Sequence, residues 1–351
     1  MATQSEQVTI LVTGGAGYIG SHFVNRYLQQ KPVTHRVLVI DNLSEGNPEA
    51  IENLKALYGE RLIFHRYGIG DAGVATLLSD YDVSGVVHFA ASALVAQSQV
   101  EPMLYLRNNV GESLKLLDSM QAAGVKNLVF SSTAAVYGTP DTDLILEDEL
   151  KSPVNVYGRT KLMVEGMLDL LNERGALSYV TLRYFNAAGA DPSGLIGEGH
   201  HEETHLIPII LQVANGYRKT LKIYGNDYNT PDGTCIRDYI HVNDLADAHI
   251  AALEYMCQRP GTGEAFNLGT GHGDSVQAVV ALSRQVTGRE IPVELCGRRA
   301  GDPPVLVASS DKAQKLLSWK PQYGLEDILK TAWQWEQNRK FCIQATQASV
   351  V

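Results

Sequence analysis

The stretch Val8–Gly20, VTILVTGGAGYIG, limits what this chain can fold into more than any other. Val8 to Val12 is a short apolar, β-branched run and reads as a fully buried strand. Thr13 closes the run, and glycines follow at Gly14, Gly15, Gly17 and Gly20. A turn this tight needs a backbone that tolerates positive φ and lets a ligand come close. Tyr18 to Gln30 then has helical spacing, so a helix starts at the turn with free N–H groups and a positive dipole end aimed into it. That is a seat for a pyrophosphate. The spacing GxxGxxG differs from the GxGxxG of ordinary dehydrogenases, and alone it implies only strand, turn and helix. The next apolar run, Arg36–Ile40, adds a second signal because it ends in Asp41-Asn42. The acid lies about 20 residues beyond the glycines, where a carboxylate accepts hydrogen bonds from the adenosine ribose hydroxyls and repels a 2′-phosphate. Together the turn and the acid predict NAD rather than NADP.

The same alternation continues. Apolar runs recur at Leu62–Phe64, Gly85–Phe89, Asn127–Phe130 and Tyr179–Leu182, with helical spacing over Pro102–Ala123 and Val156–Arg174. Short apolar strands alternating with amphipathic helices predict an α/β fold. It is a Rossmann-type doubly wound parallel sheet, with ligands bound outside the carboxyl ends of its strands. After Tyr184 the texture changes to loops and single elements, which predicts a smaller mixed α/β lobe. Residues 1–185 are expected to form the dinucleotide-binding domain, with 236–262 packing back on it. Residues 186–235 and 263–351 are expected to form the second lobe, interleaved with the first. A chain of 351 residues has enough interior for this. Its formal charge of −10 argues against nucleic acid and against an anionic membrane surface as partners. The polar start MATQSEQ lacks the apolar core of a signal peptide, and no run is long enough to span a bilayer. Cys235, Cys257, Cys296 and Cys342 have no metal-ligand spacing and read as reduced thiols of a cytoplasmic protein.

Three strand ends point toward the expected dinucleotide. Phe89-Ala90-Ala91 is small enough for a cofactor to pass over, Ser131-Ser132-Thr133 offers hydroxyls, and Tyr184-Phe185-Asn186 ends the sixth strand. The pair Tyr157 and Lys161, in YGRTK, lies at i, i+4 on one helix face. A free tyrosine is a poor base at neutral pH. A nearby ammonium, with a positive nicotinamide ring, is expected to favour the phenolate. Tyr157 then takes a proton from a substrate hydroxyl while a hydride leaves the same carbon. Thr133 is placed to hydrogen-bond the same oxygen.

TGGAGYIGSH, DNL, HFAA, SSTAAVYG, YGRTK and LRYFNAAGA together resemble the extended short-chain dehydrogenase/reductase family. ETHLIP, IYGNDYNTPDGTCIRDYIHVNDLADAH, FNLGTG and RRAGDPP extend the resemblance to its UDP-hexose 4-epimerase branch along nearly the whole chain. The resemblance implies reversible C4 epimerisation of a UDP-hexose through a 4-keto sugar, with tightly held NAD. Tyr157, Lys161 and Thr133 would be catalytic. Gly14, Gly17, Tyr18, Ile19, Gly20, Asp41, Asn42, Ile69, Phe89, Ala90, Ala91, Asn108 and Phe185 would line NAD, with Tyr157 and Lys161. Asn186, Leu206, Tyr224, Arg237, Arg299 and Asp302 would hold the UDP-sugar beside Thr133, in the second lobe.

Three departures from the family pattern stand out. Tyr67-Gly68-Ile69 replaces a Gly-Asp-Ile near the adenine, so a carboxylate contact is missing and Asp71 is not assumed to replace it. Ser92 or Ala93 stands where some members have lysine. Leu306 stands where some carry a tyrosine that walls the sugar pocket, so an N-acetyl group is expected to fit and UDP-N-acetylglucosamine to react. The nearest alternatives are an epimerase of UDP-xylose or UDP-glucuronate, a nucleotide-sugar dehydratase and a dinucleotide-sensing binding protein. Ala134-Ala135 after Thr133 lacks the acid a dehydratase uses. His200, His201 and His205 lie on a loop with no evident carboxylate scaffold, so no metal site is expected. The apolar residues on more than one side of Pro102–Ala123 and Val156–Arg174 predict a homodimer, as the resemblance does.

Overall fold

The computed structural model describes residues 7–140, 142, 144–200, 203–299 and 302–339. The first half alternates as the apolar periodicity predicts. β1 (Val8–Thr13) leads through the glycine turn into α1 (Tyr18–Gln30) and then β2 (His35–Ile40). α2 (Pro48–Tyr58), β3 (Leu62–His65), α3 (Val74–Asp80) and β4 (Val83–His88) follow. Next come α4 (Val95–Val100), α5 (Pro102–Tyr105), α6 (Glu112–Ala122) and β5 (Asn127–Ser131). α7 (Val156–Glu173) and β6 (Ser178–Tyr184) complete the repeating part.

The helical spacing over Pro102–Ala123 is not one regular helix. A π-helical turn, Leu106–Gly111, interrupts it. Such turns occur often at functional sites because they rotate side chains out of register. Here the turn aims Asn109 at the loop after β4: its Nδ2 donates to the Ser92 carbonyl (3.0 Å) and to Thr160 Oγ1 (3.1 Å), and its Oδ1 accepts the Ser92 N–H (2.8 Å).

In the second half the elements are shorter. β7 (Asn186–Ala188), α8 (Leu206–Ala214), β8 (Leu221–Tyr224), β9 (Ile236–Arg237) and β10 (Tyr239–His241) precede α9 (Val242–Gln258). β11 (Gly263–Leu268), β12 (Asp274–Ser275), α10 (Val276–Thr287), β13 (Val293–Cys296) and β14 (Val305–Leu306) lead to α11 (Asp311–Leu317) and α12 (Leu325–Asn338).

One seven-stranded sheet in the order β11-β6-β5-β4-β1-β2-β3 organises the molecule. Every pairing in it is parallel. Strand order reverses between β1 and β4, which opens a crevice at their carboxyl ends. The seventh strand, β11, comes from the stretch that the sequence assigns to the second lobe. Each face of the sheet is covered by its own apolar cluster. Phe23, Val24 and Leu28 of α1 meet Leu245, Ile250 and Leu253 of α9 on one side. Leu78, Leu116, Val164 and Leu168 cover the other. Leu11 and Val12 are neighbours on β1 facing opposite ways, and both are fully buried. Each such side chain contributes about 1.5–3 kcal/mol by leaving water. A third cluster, built on Ile210, Leu211, Val279 and Ile328, is the core of the smaller lobe.

Candidate active site

The glycine turn carries the strongest local constraint. Gly14 has φ +70°, and a Cβ there would lie 2.7 Å from the Ala90 amide nitrogen. A Cβ on Gly20 would collide with the Gly14 carbonyl. Only glycine lets β1, the loop after β4 and α1 close together here. Gly17 is the N-cap of α1, no side chain caps that end, and its first turn holds no acid. Uncapped N–H groups and the positive dipole end therefore face the crevice, as an anion seat requires.

A cleft of about 440 Å³ opens at this point. Gly14, Gly17, Asp41, Asn42, Ile69, Phe89, Ala90, Ala91 and Asn108 all line it. Tyr18, Ile19 and Gly20 form the first turn of α1 beside it, and the Tyr18 hydroxyl donates to the Gly189 carbonyl at 2.6 Å. Asp41 Oδ2 accepts the Ala16 N–H (3.0 Å) and Oδ1 accepts the Leu43 N–H (2.8 Å). Burial pushes its carboxyl above the usual range, and those two N–H groups oppose the shift. One lone pair of each oxygen remains for ribose hydroxyls. The uncapped helix, the glycine cradle and this carboxylate together fit a dinucleotide.

The same lining contains residues that sequence reasoning missed. Arg107 enters it from the π-helical turn, and Tyr67 and Asp71 enter from the stretch after β3. Asp71 folds back so that its Oδ2 accepts the Gly68 N–H at 2.7 Å. The carboxylate absent from the Tyr67-Gly68-Ile69 stretch is thus returned to the cleft from three residues downstream.

Tyr157 and Lys161 stand one turn apart on α7, whose N-cap Asn155 accepts the Gly158 N–H at 2.7 Å. Thr133 adjoins the Tyr157 phenol and favours its ionised form. The Lys161 ammonium donates to the Ser131 carbonyl (2.8 Å) and lies over the Phe130 ring. The expected acidification of the Tyr157 phenol is not met: its pKa is raised. Burial raises the phenol above its ordinary value, Tyr184 adds to the rise, and only Thr133 opposes it. Lys161 itself is 4% exposed, and burial pushes its pKa down to about 7, with Glu165 opposing. Lys161 Nζ lies 6.0 Å from the Tyr157 ring centre.

Beneath the pair lies a buried network. Arg183 grips Glu165 through Nε (3.1 Å) and Nη2 (2.7 Å), and Ser132 donates to Glu165 Oε1 at 2.6 Å. Arg183 Nη1 also donates to Tyr137 (2.9 Å), which donates to Asn267 (2.6 Å). Tyr157, Lys161 and Glu165 follow at i, i+4 and i+8, and this helical stripe was the available sequence signal for Glu165.

The expected sugar-nucleotide residues gather in the second lobe. Arg237 is ion-paired to Asp302 and also donates to the Pro303 carbonyl (2.8 Å). The Arg299 guanidinium lies 4.1 Å over the Tyr224 ring. Arg237 is registered against Leu306 across β9 and β14. Phe185 and Leu306 pack on the same small cluster as Ala134 and Tyr137. Asn186 donates to the Asp238 carbonyl (2.9 Å), and Leu206 opens α8. None of these residues lines the cleft described above. Of the histidines noted in the sequence, His200 and His205 are described and His201 lies outside the described residues.

A parallel sheet with a glycine turn at its switch point, an acid following β2 and a Tyr–Lys pair one turn apart on α7 define a dinucleotide-dependent enzyme of the short-chain dehydrogenase type. The chain belongs to the NAD dependent epimerase/dehydratase family, whose model matches residues 10–269. Its relatives within that family include UDP-glucose 4-epimerases. It is 48% identical to the UDP-glucose 4-epimerase of Halalkalibacterium halodurans over 331 residues, 94% of this chain and 96% of that one. Its fold is similar to that of the UDP-glucose-4-epimerase from Stenotrophomonas maltophila, crystallised with NAD and formylated UDP-arabinopyranose. That likeness has a TM-score of 0.90 at 40% identity and covers 94% of this chain and 98% of that one. The UDP-Glc/GlcNAc 4-epimerase of Campylobacter jejuni is similar at TM-score 0.82 and 42% identity, covering 94% and 99%. Among the described residues no helix is long and apolar enough to cross a membrane.

Proposed function

We infer that the chain interconverts UDP-glucose and UDP-galactose by reversible epimerisation at C4. The observation that carries this reading is that Thr133, just past the end of β5, adjoins Tyr157 of the Tyr157–Lys161 pair on α7, in a chain whose glycine-turn cleft fits a dinucleotide. When bound, NAD supplies a reversible hydride acceptor and a positive ring. The chain's own residues manage the proton. Tyr157 Oη takes it from the C4 hydroxyl, Thr133 bridges the two oxygens, and the same groups return it to the other face of the sugar. Lys161 holds the ribose side of the site from beneath.

The division of labour follows the two lobes. The sheet holds the cofactor, while Arg237 and Arg299 grip the UDP handle, because a planar guanidinium matches phosphate geometry. A firm grip on the handle with a loose grip on the sugar lets the ring turn over. Asp71 takes the adenine contact that Tyr67-Gly68-Ile69 lacks. Leu306, shorter than an aromatic wall, leaves space for an N-acetyl group, so UDP-N-acetylglucosamine is a second substrate. Homodimerisation is supported by large apolar side chains left exposed on α6 and α7: Leu114 (49%), Met163 (48%) and Leu170 (56%). A cytoplasmic location agrees with the free thiols of Cys235, Cys257 and Cys296.

The direct test is incubation with UDP-galactose without added NAD. Product formation supports both the reaction and a retained cofactor, and no product with NAD present at saturation rejects the reading. Tyr157→Phe is expected to lower turnover by about 10²–10⁴-fold while leaving NAD bound. A dinucleotide sensor would be indifferent to that change.

A further inference from the structure

One cluster of side chains has no role in the reading above. Glu198, His200, Glu203 and His205 come from the segment between β7 and α8, where the sequence offers histidines without an evident carboxylate scaffold. Folding supplies the scaffold. His200 Nδ1 lies 3.3 Å from Glu198 Oε1 and 3.5 Å from Glu203 Oε2. His205 Nδ1 lies 2.9 Å from Glu198 Oε1 and 3.1 Å from Glu203 Oε1. Both carboxylates are buried, each only 6% exposed.

The ligand atoms are held rather than loosely gathered. Glu203 Oε1 accepts the N–H groups of Thr204 (2.9 Å) and His205 (2.8 Å). Its Oε2 is left buried with no hydrogen-bond partner, and so is the facing His200 Nδ1. The Glu198 backbone is anchored from α12, where the Trp335 indole N–H donates to the Glu198 carbonyl at 2.6 Å. Two buried polar atoms without hydrogen bonds therefore sit in a group of four residues whose possible ligand atoms lie close together.

We propose that Glu198, His200, Glu203 and His205 bind one divalent transition-metal ion, with zinc the best match. Two imidazole nitrogens and two carboxylate oxygens suit zinc, whereas calcium and magnesium prefer oxygen alone. The two carboxylates neutralise the ion. Zinc bonds of about 2.0–2.2 Å in a tetrahedron place ligand atoms about 3.3–3.5 Å apart. Two of the four histidine–glutamate separations match that value and the other two are a few tenths of an ångström shorter. All four ligand atoms lie within 4.8 Å of one another, so the widest pair closes by about 1.4 Å on binding. His205 is the N-cap of α8, and Leu206 follows it. The ion clamps the segment after β7 to the start of α8 and stabilises the folded chain, because the unfolded chain has no such site. This inference stands on geometry alone and does not depend on the epimerase reading.

The test uses the full-length protein, dialysed first against a chelator and then against metal-free buffer. Titrated with zinc sulfate and passed through gel filtration, it is expected to retain one zinc per chain and to melt at a higher temperature. Cobalt(II) in place of zinc is expected to give the strong visible absorption of a four-coordinate nitrogen–oxygen site, without a thiolate charge-transfer band. His205→Ala and Glu203→Gln each weaken zinc binding by about 10-fold or more. His272→Ala, at an exposed histidine elsewhere, leaves binding unchanged. If the ligand variants fail to fold, the wild-type cobalt spectrum decides alone. No uptake, a pale six-coordinate spectrum or a thiolate band overturns the proposal, as does zinc uptake that survives both ligand substitutions.

Discussion

Replacing Lys161 with Met separates the energetic cost of this lysine from its use. Lys161 is buried, holds the Ser131 carbonyl and titrates near about 7 in the ligand-free protein. In the unfolded chain a lysine titrates near about 10.4. Between those values the unfolded chain carries a proton that the folded chain does not, so stability rises with pH across the window. The slope is at most about 1.4 kcal/mol per pH unit, and below pH of about 7 the folded state bears the whole penalty. Methionine does not titrate, which makes the difference between the two proteins the signal. Urea unfolding of NAD-free wild type and K161M is followed by far-ultraviolet circular dichroism from about pH 6 to about pH 9.5. The stability of wild type relative to K161M is expected to climb by about 2–3 kcal/mol between about pH 7 and about pH 9.5, and to be flat below that. A difference that stays constant throughout would show that the folded lysine titrates as in water, and the account of the site's electrostatics would be wrong.

Three further outcomes follow from particular contacts. Glu165→Gln leaves Arg183 charged and buried without its carboxylate, and is expected to cost about 3–5 kcal/mol in urea unfolding. Leu306→Tyr restores an aromatic wall, so it is expected to lower kcat/KM for UDP-N-acetylglucosamine by about 10-fold or more while UDP-glucose turnover changes little, measured by product analysis on each sugar. Asp71→Asn removes the carboxylate returned to the cleft; NAD affinity measured by calorimetry is expected to fall by about 1–2 kcal/mol with kcat unchanged at saturation.

The cofactor half of the site was legible because it rests on local rules. A glycine turn followed by a helix, and an acid ending the next strand, are short-range patterns whose geometry hardly depends on the remainder of the chain. Tyr157 and Lys161 were legible for the same reason, one helical turn apart. Asp71 was not, since its return depends on the turn at Gly68 rather than on its place in sequence. The carboxylates beside His200 and His205 were missed because the loop's sequence has no periodicity to say which side chains converge. The π-helical turn was missed because the apolar spacing of Pro102–Ala123 runs through it unbroken, while the cause is polar: Asn109 reaching Ser92 and Thr160.

The opposite shifts of Tyr157 and Lys161 have one cause. Burial disfavours whichever form is charged, so it raises a phenol and lowers an ammonium. Lysine acidifies tyrosine only while it is itself charged. At the 6.0 Å between Lys161 Nζ and the Tyr157 ring centre, an ammonium and a phenolate attract by about 3 kcal/mol at an effective dielectric of about 20, or about two pKa units. Charge on either group therefore favours charge on the other. Glu165, one turn further along α7, favours the ammonium. A site of this kind is a weak base until something nearby favours the ammonium, so Tyr157 is expected to ionise only once Lys161 is charged.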